Sequence, residues 1–205
     1  MPLQNRVAPT GDILADPSKA GIVMGNRGIL HDGDKTLGQS RWRHKAWIIC
    51  VTSFKDFRRE LMAPGQYTEL FFLDEAVAIA AGHRPCSLCR RAAFQAYFSA
   101  IEPLMTDKPS ASALDALLHR SRVNPANRRQ IVHQEEAHDL PQGAFIAHDG
   151  ASWLVWNDGI HRFTFEGYTE RRPLPDGRLT VLTPRPSLEA LRGGYVPVVH
   201  PSIAG

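Results

Sequence analysis

Two periodicities alternate along the chain. Residues 46–53 (AWIICVTS) and 67–72 (YTELFF) are short runs of β-branched and aromatic residues, which fit strands. Asp74 can cap a helix over residues 75–81, and Gly82 is its natural stop. A second helix is expected from about Cys89 to Ile101, because Phe94, Tyr97, Phe98 and Ile101 recur at three- and four-residue steps. Residues 110–122 read as a third helix with Leu114, Leu117 and Leu118 on one face, and residues 128–138 as a fourth. After Pro141 the segments FIAHDG, ASWLVWNDG, HRFTFEGY and RLTVLTP alternate strands with Asp-Gly, Glu-Gly and Pro turns. Residues 187–192 form a last helical turn stopped by Gly193-Gly194, and the apolar stretch 194–202 is expected to pack back on the strands.

The N-terminal part is less regular. Residues 1–20 read as a loose leader, and residues 22–30 as a hairpin with Gly25-Asn26 near its turn. Residues 55–65 are charged and end at the Pro64-Gly65 turn signal, and residues 103–109 break the chain between two helices. The fold expected is α+β: a leader (1–20), an N-terminal module with a β-hairpin and helices (21–102), a helical middle (103–140), and a small antiparallel β unit packed on the rest (141–205).

Composition changes this picture little. Of the 205 residues 43% are hydrophobic and 22% charged, which are ordinary globular values. The first 21 residues carry no apolar run, and the longest apolar stretch, 70–81, is interrupted by Asp74 and Glu75. A cytoplasmic protein with no membrane partner is therefore expected. The net charge is only +3, but Arg outnumbers Lys by 19 to 5 and is doubled at 58–59, 90–91, 128–129 and 171–172. Arg contacts phosphate and carboxylate groups with a planar fork, although a GC-rich genome gives the same excess.

Three cysteines are too few for a disulfide framework. Cys86 and Cys89 stand in Gly-His-Arg-Pro-Cys-Ser-Leu-Cys-Arg-Arg. A CxxC places two thiolates on one tight turn, close enough to share an ion. The following helix start and Arg84, Arg90 and Arg91 favour the anionic sulfurs. A thioredoxin-like redox pair would follow a strand, whereas here a helix ending at Gly82 precedes the motif. Zinc, which takes about four nitrogen or sulfur ligands, is the expected cofactor.

The run Phe71-Phe72-Leu73-Asp74-Glu75-Ala76-Val77-Ala78-Ile79-Ala80-Ala81-Gly82-His83-Arg84-Pro85-Cys86-Ser87-Leu88-Cys89 resembles the second half of the Ada-type metal-binding domain. That zinc module stands at the N-terminus of the Ada DNA-repair methyltransferase and is appended to some nucleases. The resemblance spans about residues 24–91. It implies a structural zinc and an association with nucleic acid. Gly28-Ile29-Leu30-His31 looks like the domain's first hairpin, with His31 in the place of the first ligand. The second ligand position falls on Lys35, which cannot ligate. The remaining cysteine, Cys50, lies in the strand expected after the hairpin. The ligand set expected is thus His31, Cys50, Cys86 and Cys89, with His44 in reserve for either of the first two and Asp34 behind it. The competing readings are a surface histidine at 31 and a buried core cysteine at 50, beside Ile48 and Ile49. The family's methyl-accepting cysteine belongs to the first ligand pair, so His31 and Lys35 do not carry that reaction over.

Arg41, Trp42, Arg43, His44, Lys45 and Trp47 interleave base and aromatic, which suits phosphate contact with base stacking. The alternative is a strand flank whose tryptophans are core. Arg84, Arg90 and Arg91 are further candidates for contact with DNA or RNA. Two weaker constellations are His133-Gln-Glu-Glu-Ala-His138, whose histidines are five apart rather than four, and Asp115 with His119 as an acid–base pair. The function expected is a zinc-binding, nucleic-acid-associated bacterial protein, with catalysis left open. A metal-dependent hydrolase or nuclease, and a protein-interaction module, are the alternatives.

Overall fold

The computed structural model describes residues 1–55, 60–106 and 108–204. The Arg58-Arg59 pair, the middle of the charged 55–65 segment and residue 107 of the expected break lie outside the described residues. The fold is α+β, and the described residues form two six-stranded sheets and four α-helices.

The first sheet uses β1 (Gln4–Val7), β2 (Ile13–Ala15), β3 (Val23–Asn26), β4 (Ile48–Val51), β5 (Leu70–Phe72) and β6 (Arg84–Pro85), in the order β2-β1-β5-β3-β4-β6. Two expectations are corrected here. Residues 1–20 are not loose: β1 and β2 form a hairpin, and β1 runs parallel to β5. Residues 22–30 are not a hairpin either. Gly25 and Asn26 sit inside β3, which pairs with β4 on one side and β5 on the other. A side chain at Gly25 would clash, since a Cβ there would lie 2.1 Å from the Ile48 carbonyl oxygen. That glycine signals a close backbone approach rather than a turn.

Helix α1 (Glu75–Ala80) is capped by Asp74, whose Oδ1 accepts from the Val77 N–H at 2.9 Å. It ends as expected at Gly82, which adopts φ +85°, while the His83 N–H returns to the Ala78 carbonyl at 2.9 Å. All six of its residues are buried. Its acidic start anchors the C-terminal part of the chain. Asp74 Oδ2 accepts from the Tyr168 hydroxyl and the His200 N–H, and Glu75 accepts from the Tyr195 hydroxyl, the Val198 N–H and both Nη atoms of Arg90. Helices α2 (Arg91–Ile101) and α3 (Ala111–Arg122) follow, the latter capped by Ser110.

The helix expected over 128–138 is a strand instead. Residues His133–Glu136 form β7, paired antiparallel with β12 (Arg178–Val181). That short polar stretch has no apolar stripe to bury as a helix, and the exposed edge of the second sheet offers its backbone a ladder. The remaining strands, β8 (Phe145–His148), β9 (Ala151–Trp156), β10 (Gly159–Thr164) and β11 (Gly167–Pro173), make an antiparallel meander, with β12 on the other side of β8. Helix α4 (Arg185–Arg192) lies against α2 and α3. One apolar cluster runs from Val7 through Val77, Tyr97 and Trp153 to Tyr195, so both sheets share it. Among the described residues, no helix is long and apolar enough to cross a membrane.

Candidate metal centre

Three cysteines converge where β4 meets β6. Strand β4 carries Cys50. Parallel pairing of Ile48 with Arg84 and Ile49 with Pro85 brings the chain before the CxxC alongside it. The Cys86 N–H extends that register by donating to the Ile49 carbonyl at 2.9 Å. The chain then turns, the Arg90 N–H reaching the Cys86 carbonyl at 3.2 Å, and α2 begins. The sulfurs of Cys50, Cys86 and Cys89 all lie within 4.8 Å of one another, and none is in a disulfide.

This donor set fits zinc. Zn–S bonds of about 2.3 Å in a tetrahedron put sulfurs ~3.8 Å apart, so small side-chain shifts suffice. The surroundings of one sulfur favour its thiolate form. The Cys86 thiol is pushed down to about 4, because the Cys50 thiol and the backbone N–H groups of Cys89 and Leu88 donate to it, against the opposing effect of burial. Burial pushes Cys89 up, and the Cys50 thiol, donating to Cys86 and itself buried, is pushed far up. Three thiols this close oppose one another's full ionisation, since the charge of Cys86 raises both Cys50 and Cys89. A divalent ion would let all three ionise. Cys86 is buried and the other two are half-buried, beside an exposed Leu88, so the centre lies just under the surface.

His31 does not join the sulfurs. It is buried elsewhere, its Nδ1 2.7 Å from Thr68 Oγ1 and its Nε2 3.3 Å from the Ala63 carbonyl. The reserves His44 and Asp34 are exposed, and neither belongs to the cluster. Among the described residues the centre therefore offers three protein ligands.

The arginines around the motif divide by role. Arg84 is buried and forks onto Asp115, Nε to Oδ1 and Nη2 to Oδ2 at 2.9 Å each. Arg90 forks onto Glu75 at 2.7 and 2.9 Å. Both forks are spent inside the protein, while Arg91 is exposed. Asp115 is thus not an acid–base partner of His119, whose ring lies against Trp42 and Trp47 and whose Nδ1 is 3.2 Å from Arg122 Nη2. His133 lies on β7 and His138 is an exposed residue beyond it, and neither enters a ligand cluster.

The basic–aromatic segment 41–47 is only partly core. Trp47 is buried, with its indole N–H on the His44 carbonyl, whereas Trp42 is half-buried and Arg43 and Lys45 are exposed. Arg41 Nη1 donates to the Gly38 carbonyl. Two residues that sequence reasoning missed belong with it. The guanidiniums of Arg27 and Arg122 stack on the Trp47 ring at 4.0 and 3.8 Å. Nothing in the sequence pairs them, because they lie 95 positions apart. The nearest signal is Gly82, whose missing Cβ makes room for the Arg122 side chain. No family model, curated protein or solved structure matches this chain.

Proposed function

We propose that the protein holds one structural zinc ion with Cys50, Cys86 and Cys89 as three of its ligands, and associates with nucleic acid through the segment 41–47. The convergence of three sulfurs from two separate parts of the chain carries the zinc reading. An ion there ties β4 to the start of α2, and the binding energy of such an ion is also folding energy. The Ada-like run through Cys89 supports the nucleic-acid reading. So do the exposed Arg43 and Lys45 beside the half-buried Trp42, a pairing of charge and ring that suits phosphates and bases. Arg84 and Arg90, engaged by Asp115 and Glu75, have no part in that surface.

Metal analysis of purified protein tests the first half. One zinc per chain is expected, lost in Cys50→Ser and Cys86→Ser and kept in His31→Ala. A Cys50→Ser protein that retains a full equivalent refutes the ligand set. Fluorescence anisotropy with single- and double-stranded oligonucleotides tests the second half. Affinity should fall steeply with salt and drop in Arg43→Ala/Lys45→Ala. Absence of any salt-dependent binding refutes it.

A further inference from the structure

Beside the Arg–Trp stack lies a cavity of about 480 Å³, which falls within the roughly 300–1,000 Å³ of small-ligand sites. Arg27 and Arg122 line it, at 2% and 1% exposure. Neither makes an ion pair with a carboxylate among the described residues. Arg27 donates Nε to His83 Nε2 and Nη1 to the Gly11 carbonyl. Arg122 donates Nη1 to the Gly82 carbonyl and Nη2 to the Lys45 carbonyl. Arg27 Nη2 and Arg122 Nε are left without an acceptor. Buried charge without a counter-charge is costly, and proteins keep it where something else supplies the opposite sign. The mouth adds Arg41, Arg128 and Arg129 against, among the described residues, a single carboxylate, Asp12.

The cavity is not only cationic. The half-buried Trp42 presents an aromatic wall. Gln130 Oε1 is a buried acceptor with no donor, while its Nε2 is held by three carbonyls, of Pro9, Ala80 and Leu182, which fix the amide's orientation. Burial and the neighbouring cations push Arg122 well below its usual range. Arg27 is pushed down to about 9 by burial, with Arg41 lowering it further against the opposing pull of Asp12. An anion in the cavity relieves both. We propose that this cavity binds the phosphate monoester group of a nucleotide, with Arg27, Arg122 and the mouth arginines taking the phosphate, and Trp42 and Gln130 taking the base. Phosphate meets the two-pronged arginines, a base stacks on tryptophan, and a base amino group donates to the orphan amide oxygen. The nucleotide is either free or the phosphorylated end of a strand. In the second case the inference rests on the nucleic-acid reading above, since Arg41 and Trp42 serve both.

The test is anisotropy with an internally labelled single-stranded oligonucleotide carrying a 5′-phosphate, a 3′-phosphate or neither, with AMP, adenosine and inorganic phosphate as competitors. A strand bearing a terminal phosphate should bind at least ten-fold tighter than the unphosphorylated one, and AMP should displace it where adenosine does not. Arg128→Ala/Arg129→Ala, exposed and harmless to the core, should weaken AMP at least ten-fold in calorimetry, as should Trp42→Ala. Arg122→Met serves only if its circular dichroism matches the parent. AMP binding without any strand binding supports the cavity with a free nucleotide as its occupant and refutes the nucleic-acid reading. Strand binding indifferent to terminal phosphate and to AMP overturns the cavity assignment and leaves the nucleic-acid reading standing. Inorganic phosphate binding as tightly as AMP overturns the base contact, and no binding of any probe overturns the whole proposal.

Discussion

Replacing Asp115 by Leu should unfold the protein more readily and loosen the metal centre with it. The Asp115 side chain is 10% exposed and that of Arg84 6%, and two N–H···O bonds of 2.9 Å join them. Each charge-assisted bond is worth about 1.5–3 kcal/mol. Their loss leaves a buried guanidinium with its hydrogen bond to the neighbouring Pro85 carbonyl at 3.0 Å but no counter-charge from Asp115. Breaking one side of such a pair costs about 3–5 kcal/mol, a large part of the roughly 5–15 kcal/mol that holds an ordinary domain together. With an m value of about 2–3 kcal/mol per molar urea, the midpoint should fall by about 1–2.5 M. Because Arg84 forms β6 beside β4, two residues before Cys86, zinc release to a chelator should accelerate in parallel. The double variant Arg84→Met/Asp115→Leu should recover much of the loss, since an apolar pair leaves no orphan charge. An Asp115→Leu midpoint within about 0.3 M of the parent, or a double variant no better than the sum of the singles, refutes the clamp.

Gly82→Ala should cost about 2–4 kcal/mol in urea melts, from the left-handed backbone at φ +85° and from a Cβ 2.5 Å from Arg122 Cδ; a neutral effect would show that Arg122 yields freely. Stability should also fall as pH drops below about 6.5. Burial first, then the Arg27 and Arg122 charges, hold His83 well below that value in the folded chain, and burial pushes His119 down to about 4, helped by Arg122 and Lys45. The unfolded chain takes up these protons near pH 6.5 and the folded chain does not, so the stabilisation is present above 6.5 and lost below it. Between pH 7.5 and 5.0 the parent should lose about 2 kcal/mol more than His83→Gln in parallel urea melts, and equal losses would remove His83 from the account.

Local chemistry made much of this protein legible from the chain alone. Asp74, Gly82 and Ser110 bound their helices because a cap and a left-handed stop act within a few residues. The meander after residue 141 announced itself through alternation and turn dipeptides, and Cys86 and Cys89 through a spacing that one turn sets. The partners of these residues were not legible, because they come from distant sequence. Cys50 reaches the CxxC only through the parallel pairing of β4 with β6, and His31 stays away because β3 carries the chain on toward Thr68. Polar residues 133–136 became a strand because an open sheet edge was there to take them. Arg27 and Arg122 look like surface arginines in the sequence. Tertiary structure alone buries them on one indole with no carboxylate paired to either among the described residues, since burial and charge balance depend on the whole fold and not on neighbours in the chain.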